Sequence, residues 1–203
     1  MELSDNPYAI VRHFENTVAA YAGSRFAVAV DTCSAALFLC CSYLKVGDVT
    51  IPAHTYPAVP CSIIHAGGRV HFEGIEWSGE YQLKPYPIWD GALRFHKNMY
   101  GPGTYRCLSF HYKKHIPIGR GGMILTDDAA AVEWFKLARY SGRHEVPLME
   151  DHFEALGWNF TMDPERAARG LALLQNFPDD SPDIPTTGYP DLSRFSIYGN
   201  RSR

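Results

Sequence analysis

Cysteine is sparse in this chain of 203 residues, and no two are spaced as C-x-x-C. There are five, an odd number: Cys33, Cys40, Cys41, Cys61 and Cys107. That spacing excludes a zinc ribbon and a thioredoxin-type redox site. Cys40 and Cys41 lie in an apolar run and read as small buried hydrophobes. The histidines at 54, 65, 71, 96, 111 and 115 are scattered; His111 and His115 are four apart, but they follow a strand rather than lie on a helix, and no H-E-x-x-H occurs, so no metal is expected. Positive charge is not in excess: 19 Lys and Arg against 22 Asp and Glu leave a net charge of −3. Nucleic acid and a polybasic membrane contact are therefore not expected as partners. No apolar run approaches the ~18 residues of a membrane span, and no charged segment followed by an apolar one opens the chain as a secretory signal would. The expectation is a cytoplasmic protein with reduced thiols.

What the chain does have is apolar residues, 46% of the total, in short runs. That excludes intrinsic disorder. Ile10, Val11, Phe14, Val18 and Tyr21 form one stripe at helical spacing over about Pro7–Tyr21, with Asp5 or Asn6 as cap and Gly23 as stop. Phe26–Val30 reads as a buried strand, followed by the polar turn Asp31-Thr32-Cys33-Ser34 and a helix from Ala35. Further strands are expected at Val49–Pro52, Arg69–Glu73, Tyr86–Trp89, Tyr105–Phe110 and Met123–Thr126. Helices are expected before Ile64, from Asp127 or Asp128 to Tyr140, and over Pro164–Gln175. The segment Trp77–Lys84 leaves room for little or no helix. Short strands alternating with helices predict an α/β layered fold with a mostly parallel sheet. Residues 1–177 are expected to form one domain, and the Pro-, Asp- and Thr-rich segment 178–203 an arm or tail.

In such sheets ligands sit beyond the carboxyl ends of the strands. The polar residues there are Asp31 to Ser34, His54 to Tyr56, Asp90, and Ser109 to Lys114. Ser34, Ala35 and Ser109 can hold an anion, the first two at a helix N-terminus, although Thr32 or Ser34 can equally serve as an ordinary N-cap. Asp90 ends a strand as an isolated carboxylate, which is costly to bury without a cation. Lys113 and Lys114 follow the next strand, and Tyr56 offers an aromatic face. A phosphate cradle, an acid, an amine and an aromatic plate are what pyridoxal phosphate requires.

The order of motifs carries a resemblance. Ser109-Phe110-His111-Tyr112-Lys113-Lys114 and Gly119-Arg120-Gly121-Gly122 resemble the S-F-H-x-x-K and G-E-G-G signatures of the DegT/DnrJ/EryC1/StrS sugar aminotransferases. Phe26 to Leu37 is similar to that family's A-V-x-x-x-S-G-T-A-A-L segment, with Cys33-Ser34 in place of Gly-Thr. Gly47 to Pro52 resembles G-D-E-V-I-x-P, Thr55-Tyr56 resembles T-[FWY], Trp89 to Ala92 resembles E-D-A-A, and Gly157 to Met162 resembles G-Y-N-x-R-M. The match runs in order from about Phe14 to Phe177. It implies a fold-type-I pyridoxal-phosphate enzyme, a three-layer sandwich reduced by loss of most of the C-terminal small domain. It aligns Lys114 with the catalytic Schiff-base lysine, Asp90 with the acid at the pyridine nitrogen and Tyr56 with the stacking aromatic. Ser34, Ala35 and Ser109 align with phosphate binders. Asn159 aligns with the residue that reaches the neighbouring subunit's cofactor, which implies a homodimer with shared sites. The implied reaction moves an amino group from glutamate or glutamine to a nucleotide-linked keto sugar.

The chain departs from the pattern in four places. It is shorter than family members, it lacks a strand and helix near Trp77–Tyr86, Leu93 stands where the family has a polar residue, and Arg120 replaces the Glu of G-E-G-G. Two other readings follow. One is a cofactor-binding accessory protein with weak or no catalysis. The other is a different pyridoxal-phosphate reaction, such as a sugar dehydration, against which Lys114 argues, because those relatives carry histidine there.

Overall fold

A computed structural model describes residues 6–186 and 188–199. The first helix, α1, spans Ala9–Ala22 and buries the stripe Val11, Phe14, Val18 and Ala22. It begins after Pro7 rather than at it, and the Asn6 side chain accepts a hydrogen bond from the Tyr8 N–H at 2.8 Å. Asp5 lies outside the described residues. Gly23, at φ 80°, ends the helix in the left-handed conformation that glycine adopts without a Cβ penalty.

Five strands form the main sheet, in the order β1 (Phe26–Val30), β7 (Gly122–Thr126), β6 (Tyr105–Ser109), β5 (Ile88–Asp90) and β4 (Tyr81–Gln82). Alternation along β1 explains its two-sided burial. Val28 and Val30 pack with helices α2 (Cys33–Tyr43) and α4 (Ala129–Arg139). Ala27 and Ala29 face the opposite way, into a second apolar cluster with α1 and α5 (Pro164–Leu174). Helices on both faces of one sheet make the expected three-layer α/β sandwich. A separate parallel pair, β2 (Asp48–Pro52) and β3 (Arg69–Glu73), packs with α3 (Ala58–His65).

The expected predominance of parallel pairing is corrected. In the main sheet only β5 and β6 pair in parallel, whereas β1–β7, β6–β7 and β4–β5 are antiparallel. Connection length is the reason. A parallel return needs a crossover, but the chain between β4 and β5 is too short for one and turns back as a hairpin. The bend through Gly119, at φ 92°, likewise returns β7 beside β6. Beyond Phe177 the chain continues along the surface: Lys97 N–H donates to the Asp179 carbonyl, and Ile184 N–H to the Leu93 carbonyl, both at 2.9 Å.

Candidate active site

Strands β1, β6 and β5 run in the same direction, so Val30, Ser109 and Asp90 reach one edge of the sheet. In register there, Val30 pairs with Gly122, Ser109 with Gly122, and Asp90 with Cys107. Gly122 is required by close approach: a Cβ there would overlap the Thr32 carbonyl. This contact seats the N-terminus of α2 against the strand ends.

Asp90 is buried, 4% exposed. Its Oδ1 accepts from the Ala92 N–H at 3.0 Å, and the Cys33 thiol lies 4.0 Å away. Burial raises the Asp90 pKa, while the Ala92 and Tyr81 hydrogen bonds and the cation of Lys114 oppose that rise. Among the described residues no cationic group comes within 4.0 Å of its carboxylate to form an ion pair. Lys114 is half-buried, whereas Lys113 is exposed, its ammonium 5.6 Å from the Tyr112 ring centroid. Burial lowers the Lys114 pKa and Lys113 lowers it further, while Asp90 and Cys33 act in the opposite sense. The Cys33 thiol is pushed well up by burial and by Asp90, so it stays protonated. It can donate to Asp90 or to the Cys107 carbonyl at 3.6 Å.

The other expected residues are placed as follows. Tyr56 lies between β2 and α3 with 60% of its surface exposed. Ser109 is half-buried, and its Oγ lies 3.5 Å from the His111 N–H. Thr32 is the N-cap of α2: its Oγ1 accepts from the Ala35 N–H at 3.1 Å. The ordinary capping reading therefore holds for Thr32, and the Ala35 N–H is engaged by it. Ser34 and Ala35 line a cleft of about 510 Å³ together with Asp31, Arg120 and Trp158. Lys114, Asp90, Tyr56, Ser109 and Asn159 do not line that cleft. Arg120 forms an ion pair with Asp31, and both line the cleft. Asn159 is exposed, its Oδ1 accepting from Thr161 at 3.3 Å.

Sequence reasoning missed Cys33 and Tyr81 as neighbours of the acid, and Thr55 as the partner of Tyr81. Tyr81 is the antiparallel register partner of Asp90, and its hydroxyl lies 2.5 Å from Thr55 Oγ1. Thr55 was visible only as part of T-[FWY]. Tyr81 lies in the segment that departs from the family pattern, so no motif marked it. Leu93, where a polar residue was expected, is buried at 3% exposure.

The fold, with Asp90 buried at the end of β5 and Lys114 in the loop after β6, is a reduced aminotransferase-type α/β sandwich. The sequence profile of the DegT/DnrJ/EryC1/StrS aminotransferase family matches residues 4–88 and 91–181, and the chain belongs to that family. It is 24% identical over 222 aligned positions to the spore coat polysaccharide biosynthesis protein SpsC of Bacillus subtilis, covering 83% of this chain and 57% of that protein. It is 30% identical over 88 positions to UDP-4-amino-4,6-dideoxy-N-acetyl-beta-L-altrosamine transaminase of Helicobacter pylori, covering 43% of this chain and 24% of that enzyme. Among solved structures, the Helicobacter pylori aminotransferase PseC, involved in the biosynthesis of pseudoaminic acid, superposes with a TM-score of 0.69 at 18% identity, over 87% of this chain and 64% of that one. A sugar aminotransferase from Micromonospora echinospora superposes at 0.71 with 16% identity, over 83% and 61%. The chain thus spans about half or less of the length of these two curated relatives. No helix among the described residues is long and apolar enough to cross a membrane.

Proposed function

We propose that this chain binds pyridoxal phosphate at Lys114 and transfers an amino group from glutamate or glutamine to a keto sugar carried on a nucleotide. The observation that carries the reading is the half-buried Lys114 amine in the field of the buried Asp90 carboxylate. The donor set fits the cofactor. A buried carboxylate without an ion-pair partner is costly unless a cation joins it, and a protonated pyridine nitrogen is such a cation. When bound, the cofactor supplies an aldehyde and a cationic ring that withdraws electrons.

The chain's own residues divide the remaining work. Lys114 has its pKa lowered by burial. More of it is then the neutral amine that can attack a carbonyl and afterwards hold or release a proton at Nζ. Asp90 would hold the ring's positive nitrogen, and the Ala92 N–H and Tyr81 keep its carboxylate oriented. Tyr56 would stack on the ring. The positive end of the α2 dipole, with Ser34, Ala35 and Ser109, would face the phosphate. Use of the Ala35 N–H requires that Thr32 give up its cap.

A homodimer with shared sites belongs to the same proposal. It is supported by the exposure of Asn159 next to a segment whose apolar side chains Leu148, Met149, Phe153 and Leu156 are also exposed, Met149 by 94%. A second reading, cofactor binding without turnover, is favoured by buried Leu93 in place of a polar residue.

The test is release of 2-oxoglutarate from glutamate by the cofactor-loaded chain in the presence of a keto-sugar nucleotide. Release that is lost in Lys114→Ala supports amino transfer. A loaded chain that releases none, with glutamine also inert as donor, supports the second reading.

A further inference from the structure

The arm after Phe177 follows the edge of the sheet where the candidate site lies. His115, next to Lys114, has its Nε2 2.9 Å from the Pro182 carbonyl oxygen. Arg94 donates to both carboxylate oxygens of Asp183, at 2.9 and 2.6 Å, and to Glu80 at 2.9 Å. The buried Leu93 accepts the Ile184 N–H through its carbonyl. Further on, the Tyr189 ring stacks on Trp77, with centroids 6.0 Å apart and planes at 20°. Trp77 in turn meets Tyr81 edge-on at 4.6 Å, and Tyr81 is the register partner of Asp90. The arm is pinned beyond Tyr189 as well: Leu192 is buried and its N–H donates to the Ala53 carbonyl at 2.9 Å, three residues before Tyr56.

We propose that Tyr189 is a wall residue of the pyridoxal-phosphate site, delivered to it by the arm and held there by the Asp183–Arg94 clasp. The aromatic series Tyr189–Trp77–Tyr81 leads from the arm to the acid, and the contacts on either side of Tyr189 fix its position. The Tyr189 hydroxyl also feels this surrounding: burial raises its pKa, and Asp90 and Tyr56 raise it further. A phenol stacked on Trp77, which itself packs on the register partner of Asp90, is placed to wall a bound ring and to exclude water from it. The arm shares no matched motif with the aligned segment, so Tyr189 carries no role from the resemblance. The inference rests on the reading of Lys114 and Asp90 as the cofactor site.

The experiment is a pyridoxal-phosphate titration of the full chain, followed by absorbance of the bound cofactor, on wild type, Tyr189→Ala, Tyr189→Phe, Asp183→Asn and Tyr198→Ala. Tyr198 belongs to the same arm but packs on Phe72, 6.0 Å between centroids, and serves as the control for a merely structural role. The expected result is binding weakened by about three- to tenfold in Tyr189→Ala, the range that one aromatic contact supports. Tyr189→Phe keeps the stack and the affinity but changes the pH dependence of the bound cofactor's absorption. Asp183→Asn weakens binding and speeds proteolysis of the arm, and added cofactor slows that cleavage. Should Tyr189→Ala fail to fold, the Tyr189→Phe and Asp183→Asn arms decide. Wild-type affinity in both Tyr189→Ala and Asp183→Asn overturns the proposal, as does an equal loss in Tyr198→Ala. If the wild type takes up no cofactor at Lys114, it is the reading of the site that fails, and the variants then show no binding to compare.

Discussion

Asp90 and Lys114 each sit where burial works against their charge, and each supports the other's ionised form. The sign of the consequence differs between stability and function. A carboxyl whose folded pKa is raised contributes stability below its unfolded value, near 3.9, and that contribution is lost as pH rises through the folded pKa. At neutral pH the cofactor-free protein therefore carries a cost of about 1.4 kcal/mol for each pKa unit of that rise. Asp90→Asn is expected to raise the melting temperature of the cofactor-free chain at pH 7, with the gain vanishing in acid, and to weaken pyridoxal-phosphate binding. The same substitution removes the anion that holds the Lys114 pKa up, so covalent attachment of the aldehyde should begin at a lower pH than in wild type. Melting curves and attachment rates across pH check both signs. At this scale the sequence was informative where a residue belongs to a motif. The resemblance singles out Lys114 rather than Lys113; the first is half-buried and the second exposed. Tyr81 and Tyr189 were not legible, because neither lies in a motif and their roles arise from pairing and packing across the chain.

Among the elements, the turn from β1 into α2 carries the most geometric demand. Thr32 caps the helix, and the same residue's carbonyl leaves no room for a side chain at position 122. Gly122→Ala should cost about 1–3 kcal/mol by overpacking against backbone that cannot yield. It should also shift the N-terminus of α2 away from the strand ends, reducing cofactor affinity along with stability. Chemical denaturation and a pyridoxal-phosphate titration of the same variant check this, and unchanged stability would contradict the packing argument. Apolar runs and turn signals located the strands β1, β3 and β6 to within about a residue, because short buried runs bounded by polar turns leave little choice. Strand direction was less accessible. It depends on how each connection returns, and the β4–β5 hairpin replaced the parallel geometry that the layered pattern suggested.

For the whole molecule, the five-stranded sheet between two helical layers carries the buried Asp90 to one edge, and the proposed site draws Lys114 and the arm's Tyr189 to it. The net charge is −3, and within the proposed site Asp90 and Lys114 each favour the other's charged form. The central claim is that one nitrogen at that edge, Lys114 Nζ, takes the cofactor's aldehyde. Borohydride reduction of the chain after incubation with pyridoxal phosphate, followed by peptide mass spectrometry, tests it most directly. The account predicts the reduced adduct on Lys114, retained in Lys113→Ala and absent from Lys114→Ala. An adduct on Lys113, or spread evenly over exposed lysines with Lys114 unmodified, would contradict it.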